Sequence, residues 1–182
     1  MIGMSMPSAG MMMDYLTSIL EIKNLFSSAD YVGVKTVDTE DDLEQFLVKI
    51  FSYRPALIRL LYRIRAPLVR LLGFRQDPLP DMEEWIPAEF PMLPCGAVWF
   101  FTVQRVKAGR FWIAGCPRDR HLDADLAVVA RPLTGCRKRF YLVTVVRYKH
   151  WTGPLYFNLI RLFNLLLVDR MARHAARFAP PP

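Results

Sequence analysis

The sequence predicts an α+β fold in which a curved antiparallel sheet wraps on a long C-terminal helix, the helix-grip arrangement. Three observations carry this expectation. Four strand-like runs, Val98–Val106, Arg110–Cys116, Leu122–Arg131 and Lys138–His150, follow one another closely. Their connections contain Ala-Gly, Pro-Arg-Asp and Thr-Gly, which suit hairpins and antiparallel pairing. After them Gly153 to Phe178 reads as one helix, with only Asn158, Arg161 and Asn164 breaking the apolar run from Leu155 to Val168. Ahead of them stand a further alternating stretch and three helical patterns.

In chain order, residues 1–13 are rich in Met and Ser and read as a disordered leader without a secretory pattern. Asp14 to Ser27 carries Leu16, Ile19, Leu20, Ile22, Leu25 and Phe26 at helical spacing, a short leading helix. Tyr31 to Thr39 alternates as a first strand. Thr39 and Asp42 have the form of a capping box for a helix whose stripe is Leu43, Phe46, Leu47, Ile50 and Phe51. A second helix starts near Pro55, kinks or breaks near Arg65 because Pro67 lies inside the pattern, and ends at Gly73. Residues 76–96 hold Pro78, Pro80, Pro87, Pro91 and Pro94, which deny ladder donors, so they form a loop or lid anchored by Trp85, Ile86 and Phe90.

In the last strand Phe140, Leu142, Thr144, Val146 and Tyr148 share one face. Arg139, Tyr141, Val143, Val145, Arg147 and Lys149 share the other, and the charges there suggest water. On the terminal helix, Pro154 suits a first helical position and Arg170, Arg173, His174 and Arg177 suit the negative end of the dipole. Such a helix is roughly 37 Å long, enough to cross a small sheet. Tyr156, Leu159, Ile160, Phe163, Leu166, Leu167 and Arg170 form its expected buried stripe. The domain is thus 14–178, with 179–182 a disordered tail.

Composition limits the function. A chain of 182 residues that is 53% hydrophobic and 13% aromatic has either a large core or an apolar cavity. Its formal charge of +7 is concentrated in Arg54 to Arg75 and Arg170 to Arg177. No RNA-recognition, zinc-finger or helix-turn-helix signature accompanies that charge, so nucleic acid is not the expected partner. An anionic membrane surface is an alternative partner for the basic helices. Cys95, Cys116 and Cys136 form no Cys-x-x-Cys pair and fit a reducing cytoplasm. The apolar run of the terminal helix is too short and too polar to span a bilayer.

Several segments together resemble the family known as domain of unknown function 2867, a bacterial group. They are Ala29-Asp30-Tyr31, Pro55 through Arg65 continuing to Leu68–Phe74, Arg120-His121-Leu122-Asp123, Val143-Thr144-Val145-Val146 and Gly153-Pro154-Leu155-Tyr156. The resemblance spans about Leu25 to Ala176, with Lys149-His150 where relatives carry His-Asn. It implies similarity to the START-like helix-grip superfamily. Members hold hydrophobic ligands between sheet and helix as carriers, sensors, cyclases or hydratases.

The expected partner is therefore a small hydrophobic or amphipathic ligand. Trp99, Phe101, Trp112, Thr144, Tyr148 and Tyr156, with His121 and Asp123, are its candidate contacts. An enzymatic alternative, cyclase- or dehydratase-like, rests on His121 and Asp123, whose side chains share a strand face with Asp125. That face opposes the apolar set Leu122, Ala124, Leu126, Val128 and Ala130. Neither a metal nor a cofactor is expected, because ligand spacing, a nucleophile elbow and a Gly-rich phosphate loop are missing from the sequence.

Overall fold

In the computed structural model, which describes residues 9–52, 90–98, 101–116 and 122–177, the strands form one curved antiparallel sheet. Its strands are β1 (Tyr31–Thr39), β2 (Ala97–Val98), β3 (Phe101–Lys107), β4 (Phe111–Cys116), β5 (Leu122–Pro132) and β6 (Lys138–Tyr148). They lie in the order β1-β6-β5-β4-β3-β2. The helices are α1 (Ala9–Thr17), α2 (Leu20–Ser27), α3 (Leu43–Ser52) and α4 (Gly153–Arg177). With α4 beside β1, β6 and α3, the fold is a helix grip.

Local chemistry sets the boundaries, and some differ from expectation. The run Val98–Val106 is not one strand. It divides into β2 and β3, which pair with each other through Val98 and Phe101. The leading helix begins at Ala9, ahead of Asp14, and breaks in two at Ile19, whose backbone is extended. The hydroxyls of Thr17 and Ser18 donate back to the carbonyls of Met13 (2.8 Å) and Tyr15 (2.7 Å), a local competition that ends the first helix. The capping box of α3 lies between Asp42 and Gln45. The Gln45 N–H donates to Asp42 Oδ1 (2.8 Å) and the Asp42 N–H to Gln45 Oε1 (3.1 Å). Thr39 instead donates to Asp41 Oδ2, 2.9 Å away. The second helix expected from Pro55, and most of the Pro-rich loop, lie outside the described residues.

Both faces of the sheet are covered. On the inner face, Leu43, Phe46, Leu47, Ile50 and Phe51 of α3 pack on Val37, Trp112, Ala114, Val128, Ala130, Phe140 and Leu142. Met171 and Ala172 of α4 join the same core. On the outer face, Leu16, Ile19 and Ile22 of α1–α2 cover Phe111, Ile113, Ala127, Val129, Tyr141, Val143 and Val145. The outer side of β6 is therefore not the solvated face that its terminal charges suggest. Its centre is a second core, and only its ends are polar.

Of the stripe expected on the terminal helix, only the side chains of Leu166 and Arg170 are among the described ones. Phe157, Met171 and Ala172 are buried, whereas Leu166 and Arg170 are exposed. Apolar residues surround most of this helix, so spacing alone admits several stripes. No helix among the described residues is long and apolar enough to cross a membrane.

Candidate functional site

Strand alternation directs Tyr31, Gly33, Lys35 and Val37 of β1 to the inner face, beside Val146, Thr144, Leu142 and Phe140 of β6. Side-chain size varies along this ladder and is smallest at Gly33. At one end Val37 stands opposite Phe140, and Phe46 stacks on that ring with centroids 4.0 Å apart. Towards the other end Gly33 stands opposite Thr144, one inward position before Tyr31 and Val146. Here α4 runs over β1 and β6 and leaves a groove of about 360 Å³. Its lining is Tyr31, Gly33, Val34, Leu142, Thr144, Phe157, Leu165, Leu166 and Val168, with Lys35, Arg161, Asp169 and Arg173 as its charged members.

Gly33 matters through close approach. A Cβ there would come within 2.9 Å of Tyr31 Oη and 3.1 Å of a Tyr31 ring carbon, so the ring lies over the glycine. Tyr31 in turn meets Phe157 at 4.7 Å between centroids, and Tyr148 meets Phe157 at 6.0 Å. Burial pushes the Tyr148 phenol above its ordinary value, and the Asp30 carboxylate adds to the shift. The Arg161 guanidinium sits 5.9 Å from the Tyr31 ring centroid, within cation–π reach. Towards the other end of the groove, Asp169 pairs with Lys35 and, at 2.6 Å, with Arg173. The Lys35 hydrogen bond, with lesser help from Arg173, holds the Asp169 carboxyl below the usual range.

The sequence-derived candidates divide between several places. Thr144 lies on the groove floor, and Tyr148 packs on Phe157 while its N–H donates to Asp30 Oδ2 at 2.7 Å. Trp112 and Phe101 belong to the packed core and not to the groove lining. Trp112 is fully buried between Phe51 and Phe90, and its Nε1–H donates to the Pro91 carbonyl at 3.2 Å. Trp99 and His121 lie outside the described residues, as does the side chain of Tyr156.

Asp123 turns away from the groove and pairs with Lys149 at 2.5 Å. Asp125, on the same outer side, is 3% exposed and accepts from Gln104 Nε2 at 3.0 Å and from Arg147. The bond from Gln104 crosses β4 over Gly115, where a Cβ would stand 2.0 Å from Gln104 Nε2. The cluster thus ties strands together on the outer face. Sequence reading missed Gly33, Lys35, Leu142, Phe157, Asp169 and Arg173. Alternation in β1 already put Gly33 and Lys35 on one face, but their partners are more than a hundred residues away.

A family model described as "Protein of unknown function (DUF2867)" matches residues 25–171. No curated protein matches. Among solved structures, truncated norcoclaurine synthase from Thalictrum flavum is similar at 10% identity and a TM-score of 0.40, covering 82% of this chain and 95% of that one. The same plant enzyme in complex with dopamine and hydroxybenzaldehyde is similar at 12% identity and a TM-score of 0.40, covering 88% and 94%.

Proposed function

The chain belongs to the DUF2867 family, and from that premise we propose that it binds a small hydrophobic or amphipathic molecule in the groove between α4 and the β1–β6 ladder. One observation carries the reading. Where Gly33 faces Thr144, the Tyr31 ring covers the glycine, yet among the described residues a largely apolar groove is left between this floor and α4. At about 360 Å³ the groove lies near the lower end of the usual range for ligand pockets, about 300–1,000 Å³. A molecule of one or two rings suits that volume. The reading assigns no reaction: Asp123 faces the other side of the sheet and its carboxylate is engaged by Lys149. The exposed, free Cys95 and Cys136 fit the reducing, cytoplasmic setting in which we place the protein.

The test is titration with phenylnaphthylamine, an uncharged apolar fluorophore, alongside native mass spectrometry of the purified protein. Thr144→Phe puts a ring into the groove from its floor, so the folded variant should lose the probe and any co-purifying molecule. Equal binding by both proteins would place the ligand elsewhere and refute the proposal.

A second reading has its own observation. Leu165 and Leu166 are 48% and 44% exposed between Arg161 and Arg170, and Trp151, in the turn two residues before the same helix, is 81% exposed. Cations flanking exposed apolar side chains suit contact with an anionic bilayer. Flotation with vesicles containing anionic lipid should carry the protein upward; equal flotation with neutral vesicles would eliminate this role.

A further inference from the structure

We infer that the groove selects an amphiphile bearing one anionic group, which pairs with Arg161 while its apolar body lies along Thr144 and Leu142 towards Lys35. This rests on the ligand-binding reading above and adds the chemical class of the ligand. The groove is lined by three cations, Lys35, Arg161 and Arg173, and one carboxylate, Asp169. That carboxylate is spent on Lys35 and Arg173. Asp30, near the other end, accepts from the Tyr148 N–H. Among the described residues Arg161 has no carboxylate partner; it lies over the Tyr31 ring and near the Tyr148 phenol, so its guanidinium donors are open to a ligand anion.

Spacing bounds the ligand. Arg161 and Asp169 stand two helical turns apart, about 12 Å along α4. An anion on Arg161 therefore starts a path that ends at the Lys35–Asp169 pair, where a second carboxylate would meet Asp169 at close range. The Tyr31 and Phe157 rings, 4.7 Å apart, form the wall beside the anion and favour a flat body next to it. On the floor, the Thr144 hydroxyl has no hydrogen-bond partner among the described residues and is open to one polar atom midway along that body.

The experiment compares two fluorophores of nearly the same shape, anilinonaphthalene sulfonate and uncharged phenylnaphthylamine. The wild-type protein should bind the sulfonate about tenfold more tightly, which is about 1.4 kcal/mol. Arg161→Gln should erase that preference by weakening the sulfonate about tenfold more than the uncharged probe. Arg161→Lys should retain part of it, and Arg173→Gln nearly all of it. Added salt should shrink the wild-type preference. Circular dichroism confirms that each variant is folded. Equal affinity for the two probes, or a preference that survives in Arg161→Gln, would overturn the anion inference and leave the groove reading intact. Failure of the wild-type protein to bind either probe would overturn both.

Discussion

The inner face of one sheet holds two ends that behave differently, although the same two strands run through both. Where Val37 pairs with Phe140, four aromatic rings from α3, the loop before β2 and β4 complete the filling: Phe46, Phe51, Phe90 and Trp112. Phe51, Phe90 and Trp112 sit 5.4 to 5.7 Å from one another, within the usual range for ring pairs. Four residues along, Gly33 pairs with Thr144 and the space stays open beneath α4. Curvature and a covering helix serve both ends alike. The difference lies in side-chain volume at facing positions, so a helix-grip interior is only as hollow as the residues in register allow.

The largest test of this contrast is Phe46→Ala. It removes a fully buried ring stacked on Phe140, and truncations of this kind cost about 3–5 kcal/mol. Denaturant unfolding should show that loss, with the change in midpoint accounting for it. A cost below about 1 kcal/mol would mean that the packed end is not packed. Next comes Asp125→Ala on the outer face, which strands the Arg147 guanidinium and leaves the Gln104 amide without an acceptor. Asp125 is buried but the Arg147 side chain is 28% exposed and Gln104 is exposed, so the loss should be about 1–3 kcal/mol. An effect near zero would show that the outer cluster does not bind the strands together.

Acid titration separates the two ends more finely. Asp38 receives two bonds of 2.7 Å from Arg139, across the ladder next to Val37 and Phe140. The Arg139 hydrogen bond holds its carboxyl below the ordinary range, against the opposing effect of burial. Asp169, on the groove rim, is depressed as well, first by Lys35. Because both folded values lie below the unfolded one, the stability they supply is fully present above the ordinary Asp value of about 3.9. It is lost as pH falls through the folded values. Asp38→Asn should therefore flatten the acid limb of the stability curve more than Asp169→Asn, since the Lys35–Asp169 pair is more exposed and more screened. Equal flattening by both variants would remove the distinction.

The strands were largely legible in the sequence, because alternation is a local property. Phe140, Leu142, Thr144, Val146 and Tyr148 do share the inner face. What local pattern could not supply was the second cover. Tyr141, Val143 and Val145 are as apolar as the residues between them, the mark of a strand buried on both sides, but Arg139, Arg147 and Lys149 at the ends drew attention to water. The α4 stripe was illegible for a related reason. A helix apolar over much of its circumference has no unique buried face, and among its described side chains packing buries Phe157, Met171 and Ala172 and leaves Leu166 and Arg170 exposed. The groove depends on two such long-range facts at once, the β1–β6 register and the rotation of α4. Of its residues, only Thr144 stood out beforehand, as a polar residue inside an apolar run.

A reciprocal exchange of Val and Thr gives the smallest and most direct comparison of the two ends. The two side chains have nearly the same shape and differ by one hydroxyl. Val37 is buried against α3 and Phe140, so Val37→Thr puts that hydroxyl among apolar groups and should cost about 1–3 kcal/mol. Thr144 is half-buried on the groove floor, and its hydroxyl has no partner among the described residues. Thr144→Val should then change stability by no more than about 0.5 kcal/mol in either direction. Thermal and denaturant unfolding of the two variants measure the asymmetry. If both changes cost the same, Thr144 is held by the protein as firmly as Val37, and the groove is packed core under another description. If only Val37→Thr is costly, the hydroxyl at position 144 faces a space the fold leaves open to a ligand.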